Sequence, residues 1–252
     1  MADLSPAQLD TLRSDLWFGS LPPDLATDLI AKGVLRTLAA GQHLFFRGDP
    51  PDGLYAVLSG TLRVSGLTEA GKEAVLSLVE PPTWLGEIAL FDRLPRTHDV
   101  LAEDETTVMH VRLADIDQML HKTPQYWQQF GILMALKTRL VFISLEDLSL
   151  LPPEGRLARR LVWMVQSAAA TQREGKVRLN VSQGNLALML SMSRQTANRA
   201  LMALQAQGII RVAYGVIEVL DREALADVAH LTFTERKVLA HLLGSATDGQ
   251  GK

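Results

Sequence analysis

The chain has 252 residues, 47% apolar and 21% charged, with a net charge of −3; such a composition can bury a core and excludes wholesale disorder. It has no cysteine, which excludes disulfides, thiolate zinc sites, iron–sulfur clusters and a cysteine nucleophile. No apolar run approaches the ~18 residues a membrane helix needs, and no basic start leads into an apolar stretch with a cleavage site, so a cytoplasmic protein with no membrane partner is expected. Charge is uneven: residues 154–221 hold nine Lys/Arg and four Asp/Glu, a balance of +5, which leaves −8 for the rest. A basic segment in an acidic chain points to a polyanion-binding module joined to something else.

Residues 1–34 read as helical: Leu9, Leu12, Leu16 and Trp17 recur at helical spacing, and a second short helix follows Pro22-Pro23. From 35 to 113 the period shortens to two. Short β-type runs (Leu35–Leu38, His43–Phe46, Leu54–Leu58, Thr61–Val64, Ala74–Leu78, Val100–Ala102, Thr107–Val111) alternate with turn residues such as Gly48-Asp49-Pro50-Pro51-Asp52-Gly53 and Ala70-Gly71. Many closely spaced short strands predict an antiparallel β-roll of jelly-roll type. Residues 114–151 turn helical again, with one long helix over Pro124–Leu151. Leu133, Leu136, Leu140, Ile143 and Leu150 follow heptad spacing, with Asp147 in the vacant slot as a polar interruption expected to set helix register. A helix apolar this far round must bury more than one face, so one face is expected on the roll and another against a second subunit. The alternative is a helix buried wholly within one chain. Pro152-Pro153 ends the helix and marks a domain boundary.

Residues 154–221 predict an amphipathic helix over Arg156–Ala170, then two short helices capped by Ser182 and Ser193, with only Ser191 and Met192 between Leu190 and the second cap. That is a helix-turn-helix. Ala197, Leu201 and Leu204 form the buried stripe of its second helix, and Arg194, Gln195, Asn198 and Arg199 share the opposite arc. Those side chains are the types that read base edges, and the first two turns are where a recognition helix enters the major groove. A solvated face on a helical hairpin would instead be rich in Glu and Lys, and this one has neither. Ile209–Val212 and Val216–Leu220, around Ala213-Tyr214-Gly215, add a β-hairpin, making a winged helix-turn-helix. Residues 222–252 predict a C-terminal helical extension, with Thr232-Phe233-Thr234-Glu235 at capping-box spacing, ending in an unstructured tail from Ser245.

The roll's most specific stretch runs from Gly86 to Thr97. A short helical turn presents N–H groups, and an Arg and a hydroxyl follow; N–H groups at a helix start with Arg suit an anion, and Glu87 beside them suits sugar hydroxyls. The alternative is a surface turn closed by a Glu87–Arg96 ion pair.

Three motifs resemble the CRP/FNR family of bacterial transcription regulators, in order and from about Leu16 to Leu220: Gly48-Asp49 … Leu54-Tyr55-Ala56-Val57-Leu58-Ser59-Gly60 its β-roll signature, Gly86-Glu87-Ile88-Ala89-Leu90 … Pro95-Arg96-Thr97 its phosphate-binding cassette, and Gln183 to Leu201 its helix-turn-helix. The resemblance implies an α+β protein: a cyclic-nucleotide-binding-like β-roll, a long dimerisation helix and a C-terminal winged helix-turn-helix. It implies a homodimer on a palindromic double-stranded DNA site, controlled by a small-molecule effector and in contact with RNA polymerase. By position, Gly86, Glu87, Ile88, Ala89, Arg96 and Thr97 would form the effector cassette, with Glu87 on a ribose hydroxyl and Arg96 and Thr97 on a cyclic phosphate. Arg194, Gln195 and Arg199 would read bases, Ser182 and Gln183 would touch backbone phosphate, and Ser193 and Asn198 complete the DNA-binding set.

The sequence departs from the family pattern at four places. His98 follows the Arg-Thr pair where a small residue is usual. Val141-Phe142 stand where cyclic-AMP-responsive members offer hydroxyls, which argues against cyclic AMP while leaving another cyclic nucleotide or small molecule open. Ser191 replaces the usual turn Gly, and Gln195 stands where many members have Glu. The six His residues have no metal-ligand spacing, so no metal site is expected. Two other functional classes compete: a cyclic-nucleotide sensor acting by protein contact without specific DNA binding, and an enzyme using Glu87, Arg96 and His98. The intact reading arc argues against the first, and the lack of a nucleophile or metal set against the second.

Overall fold

The computed structural model describes residues 3–67, 73–169, 177–179, 181–213 and 215–231. Two compact units divide between Arg139 and Leu140. The expected Ala70-Gly71 turn, Tyr214, and the capping box, helix and tail beyond residue 231 lie outside the described residues.

The first unit opens with α1 (Pro6–Ser14), α2 (Leu16–Gly19) and α3 (Pro23–Lys32). Ser5 and Gln8 close a capping box on α1, and Pro6 fits its first turn. The spacing of Leu9 through Trp17 suggests one helix, but Asp15 adopts an extended backbone (φ −69°, ψ 128°) and caps α2 through the Phe18 N–H at 2.7 Å. The break turns Trp17 and Phe18 inward, where they meet Trp84 at ring separations of 5.1 and 5.5 Å.

Then follow β1 (Val34–Leu38), β2 (His43–Phe45), β3 (Gly53–Ser59), β4 (Leu62–Leu67), β5 (Glu73–Val79), β6 (Thr83–Leu85), α4 (Ile88–Asp92), β7 (Asp99–Ala102), β8 (Thr106–Arg112) and α5 (Leu113–Lys122). The strands form two antiparallel sheets ordered β1-β8-β3-β6 and β2-β7-β4-β5. β6 is the strand that sequence patterning misses; it has three residues. β3 shows why one strand can be apolar throughout. Leu54, Ala56 and Leu58 face the helices, while Tyr55 and Val57 face the inside of the roll. Successive side chains alternate faces, and here both faces are covered.

The long helix is α6 (Trp127–Leu150). Phe130 and Leu133 are buried in the first unit. Beyond Arg139, Val141, Phe142, Leu145 and Leu148 are at least half exposed in the single chain. Asp147 is not left over for setting a helix register. Its Oδ1 accepts from Arg159 Nη1 at 2.6 Å, and Arg159, itself buried, also donates to the carbonyls of Ala229 and His230.

The second unit continues with α7 (Pro153–Ala169), β9 (Val177–Leu179), α8 (Gln183–Met189), α9 (Arg194–Ala206), β10 (Ile210–Ala213), β11 (Val216–Val219) and α10 (Arg222–Val228). α7 starts at Pro153, a residue suited to a helix's first turn. The predicted hairpin gains β9 as a third strand, in the order β10-β11-β9.

Asp15 carries a pH prediction. Burial raises its pKa from 3.8 to about 6, against the N–H of Phe18, Lys137 and the N–H of Trp17, which lower it. An acid whose folded pKa lies above its unfolded value stabilises the fold most when protonated, and that contribution is lost as pH rises through the folded value. Asn can keep the cap without the buried charge. Asp15→Asn is expected to be more stable than wild type at pH 7–8 by about 1–3 kcal/mol, with the difference vanishing below pH ~4. Urea unfolding at both pH values checks this; equal stability at pH 8 would contradict it.

Candidate functional site

The cassette is built from the backbone outward. Gly48 and Asp49 pin the main chain of Arg96: Gly48 N–H donates to Arg96 O, and Arg96 N–H to Asp49 O, both at 2.8 Å. Asp49 Oδ2 in turn accepts from Phe46 N–H at 2.8 Å. The Arg96 side chain then runs inward until only 3% of it is exposed. Its Nη2 donates to Asp52 Oδ1 at 2.6 Å and to Gly53 O at 2.8 Å, and its Nη1 reaches Gly86 O at 3.4 Å. The guanidinium also lies 4.5 Å from the Phe45 ring centre. Its Nε is buried with no hydrogen-bond acceptor. A buried donor left unmade is costly, and a ligand oxygen would satisfy it.

Gly86 is required by this approach. Its φ is +97°, and a Cβ there would lie 2.6 Å from Gly53 O and 2.7 Å from Arg96 Nη1. Glu87 follows and Ile88 and Ala89 open α4, whose first N–H groups have no acceptor within the helix. Glu87 is buried and accepts from Lys137 Nζ at 2.8 Å; the same ammonium donates to Trp84 O. The alternative of a Glu87–Arg96 ion pair is therefore not what forms: each takes a different partner. Thr97 is exposed, and its Oγ1 lies 2.9 Å from His98 Nδ1.

Sequence reading missed Asp52 and Lys137. Asp52 was visible only as a turn residue, although it is the acid that holds Arg96. Lys137 is the first charge on α6, after ten uncharged residues, which was a usable signal. Behind Asp52, Tyr55 donates its hydroxyl proton to Oδ2, Arg36 donates to the Tyr55 hydroxyl at 3.1 Å, and His110 stacks on the Tyr55 ring at 4.4 Å. Burial raises the Asp52 pKa, but bonds from Tyr55 and Arg96 outweigh it, and the net shift is downward. Burial and Asp52 together raise the Tyr55 pKa. Burial lowers the pKa of His110. Arg96 thus faces a carboxylate held ionised at neutral pH.

In the second unit Ser182 caps α8 and Ser193 caps α9 through side-chain oxygens. Ser191 in the tight turn has φ +50°, the left-handed conformation in which Gly is usual, so the substitution carries a local cost of ~1 kcal/mol. Ala197, Ala200, Leu201 and Leu204 are buried. Arg194, Gln195, Asn198 and Arg199 are exposed on one side of α9, and Ser182 is exposed with Gln183 half-buried beside it. Neither Arg194 nor Arg199 makes an ion pair among the described residues, whereas Arg159 is spent on Asp147, and Arg178 and Arg211 on Glu218. Both guanidinium groups of α9 are thus presented to solvent.

Residues 35–123 match the cyclic nucleotide-binding domain family and residues 155–228 the Crp-like helix-turn-helix domain family. The chain is a DNA-binding transcription regulator of the CRP/FNR family. It is 29% identical over 193 residues to a CRP-like cAMP-activated global transcriptional regulator of Mycobacterium tuberculosis, covering 74% of this chain and 84% of that one. It is 27% identical over 218 residues to the cyclic AMP receptor protein of Thermus thermophilus, covering 86% and 97%. Among solved structures, FixK2 from Bradyrhizobium japonicum shares the fold with a TM-score of 0.70 at 17% identity, over 79% of this chain and 98% of that one. Among the described residues no helix is long and apolar enough to cross a membrane, and no group of His, Asp and Glu could hold a metal ion.

Proposed function

We infer that the chain acts as a cytoplasmic homodimer, placing two α9 helices on a palindromic DNA site and contacting RNA polymerase, with a small anionic effector bound in the β-roll, and that it performs no catalysis. The observation that carries the effector reading is Arg96: buried, oriented by Asp52 and two carbonyls, and with Nε unsatisfied. Gly86, Ile88, Ala89 and Thr97 complete the anion's surroundings, and Glu87, held by Lys137, has a second lone-pair set for a hydroxyl. Base reading falls to Arg194, Gln195 and Arg199, with Asn198 on the same arc and Ser182, Gln183 and Ser193 at the helix starts nearest backbone phosphate. A sensor that never binds DNA would have no use for two exposed Arg on one helix face with no ion-pair partner among the described residues. An enzyme would need a group poised to react, whereas Glu87 and Arg96 are each held by a counter-charge.

The half-exposed apolar surface of α6 carries the dimer reading, since a strip of Val141, Phe142, Leu145 and Leu148 costs free energy in water. Leu140→Glu should shift the native mass toward monomer and weaken binding to palindromic DNA with it. Light scattering and gel shift test this together; a variant that stays dimeric would overturn the interface.

By the family resemblance Val141 and Phe142 stand where cyclic-AMP-responsive members offer hydroxyls, and neither side chain can hydrogen-bond an adenine amino group. Each buried group left unsatisfied costs roughly 1–3 kcal/mol, or one to two decades of affinity. Cyclic AMP should therefore bind weakly, and calorimetry giving a sub-micromolar Kd would refute this.

A further inference from the structure

We propose that His98 is a further residue of the effector site, taking up a proton from solvent as an anion binds beside it and transmitting that charge through the Thr97 hydroxyl. The proposal rests on the anion-site reading above and deepens it, because it states that the site favours anions over neutral ligands by a residue outside the Arg-Thr pair.

His98 Nδ1 lies 2.9 Å from Thr97 Oγ1. A hydroxyl has one proton. When Nδ1 is bare, Thr97 donates that proton to it and presents only lone pairs to the site, which repel an anion. When Nδ1 carries a proton, His98 donates, Thr97 accepts, and the hydroxyl proton is free for the anion. A neutral imidazole can adopt either tautomer, but an imidazolium has both N–H groups and enforces the second arrangement. The anion thus favours the protonated ring twice, by charge and by requiring the Thr97 proton. The step balances as neutral His98, one solvent proton and the anion giving imidazolium and bound anion.

The surroundings allow this titration. His98 is partly buried in the bend just before β7, and the β4 residue beside it is Gly66, whose added Cβ would lie 3.6 Å from the ring and which brings no charge. Among the described residues, the charged groups facing it are Arg47, from the segment after β2, and Asp99, the first residue of β7; Arg96 lies two residues back. In the free protein, burial and then Arg47 hold its pKa below 6.5, against Asp99. His98 is therefore neutral at pH 7 until an anion arrives. Affinity should be highest below the free-state value and fall as pH rises through the higher value of the complex.

The test uses two probes whose charge is fixed from pH 5 to 8, sulfate and cyclic AMP, titrated calorimetrically into the full chain up to millimolar concentration in buffers of differing ionisation enthalpy. Wild type should bind tighter at pH 5.5 than at pH 8, about tenfold for a one-unit pKa difference, with net proton uptake between the free and bound pKa values of the ring. His98→Gln keeps a hydrogen bond to Thr97 but cannot titrate, and should bind with no pH slope and no proton uptake. NMR of the wild-type His98 ring, with and without saturating sulfate, is the second measurement, and its pKa should rise on binding. Binding that is independent of pH, or a His98→Gln slope equal to wild type, would overturn the proposal while leaving the anion site intact. No binding of either probe, or binding unaffected by Arg96→Leu, would overturn the anion site and this proposal with it.

Discussion

Arg194→Ala and Arg199→Ala should each lose roughly 1–3 kcal/mol of affinity for the specific DNA site, or about 5- to 150-fold, and relax preference at one base pair per half-site. Both side chains stand in the first two turns of α9, are exposed, and have no ion-pair partner among the described residues. Nothing in the core depends on them, since Ala197, Ala200, Leu201 and Leu204 fill the other side. The losses should therefore appear in binding and not in stability. Gln195→Glu should change which base is preferred, because Glu only accepts where Gln also donates. Half-sites should lie about one helical turn apart, or ~34 Å. If either Arg also meets a phosphate, its variant should show a shallower salt dependence. Binding-site selection from random DNA, run for wild type and the three variants, reads all of this. The same recovered motif from every protein would show that α9 is not the reader.

Arg96→Leu should cost more in its own assay. A charged, buried hydrogen-bond donor lost from an anion's site typically costs about 2–5 kcal/mol, a factor of roughly thirty to several thousand. A thermal-shift screen against cyclic mononucleotides and dinucleotides and 2-oxo acids supplies the ligand. Whichever compound raises the wild-type melting temperature should leave that of the Leu variant unchanged. The structure adds a cost beyond binding. Arg96 also satisfies Gly53 O and Gly86 O and neutralises Asp52, so the Leu variant should melt earlier than wild type without ligand. Arg96→Lys separates the two effects. It keeps the positive charge but cannot span Asp52 and two carbonyls at once, so it should retain more stability than Leu while still losing most of the ligand response. An anionic ligand bound equally well by all three proteins would refute the cassette.

The elements legible in the sequence were those with a strong local signal. Period-two runs separated by turn residues located seven of the eight roll strands, and β6 escaped because three residues cannot show a period. Ser182 and Ser193 announced both helix starts, because a cap is chosen by the backbone N–H groups next to it. The reading face of α9 was legible for the same kind of reason: helical spacing alone assigns Ala197, Leu201 and Leu204 to one side and Arg194, Gln195, Asn198 and Arg199 to the other.

What the sequence by itself determined, then, is the order of modules, the caps, and which residue types stand at the cassette and on the recognition helix. The tertiary structure alone decided which charge meets which. Asp52 and Arg96 are 44 residues apart, Glu87 and Lys137 are 50 apart, and Asp147 turned from an expected register residue into the partner of Arg159. Periodicity reports only neighbours within a few residues. An ion pair is made by strands and helices that folding brings together, and any of several carboxylates could have satisfied Arg96 until the roll placed Asp52 at 2.6 Å. Likewise, the adjacency of Thr97 and His98 is written in the chain, but the bond between their side chains depends on the backbone turn into β7, which only the folded roll sets.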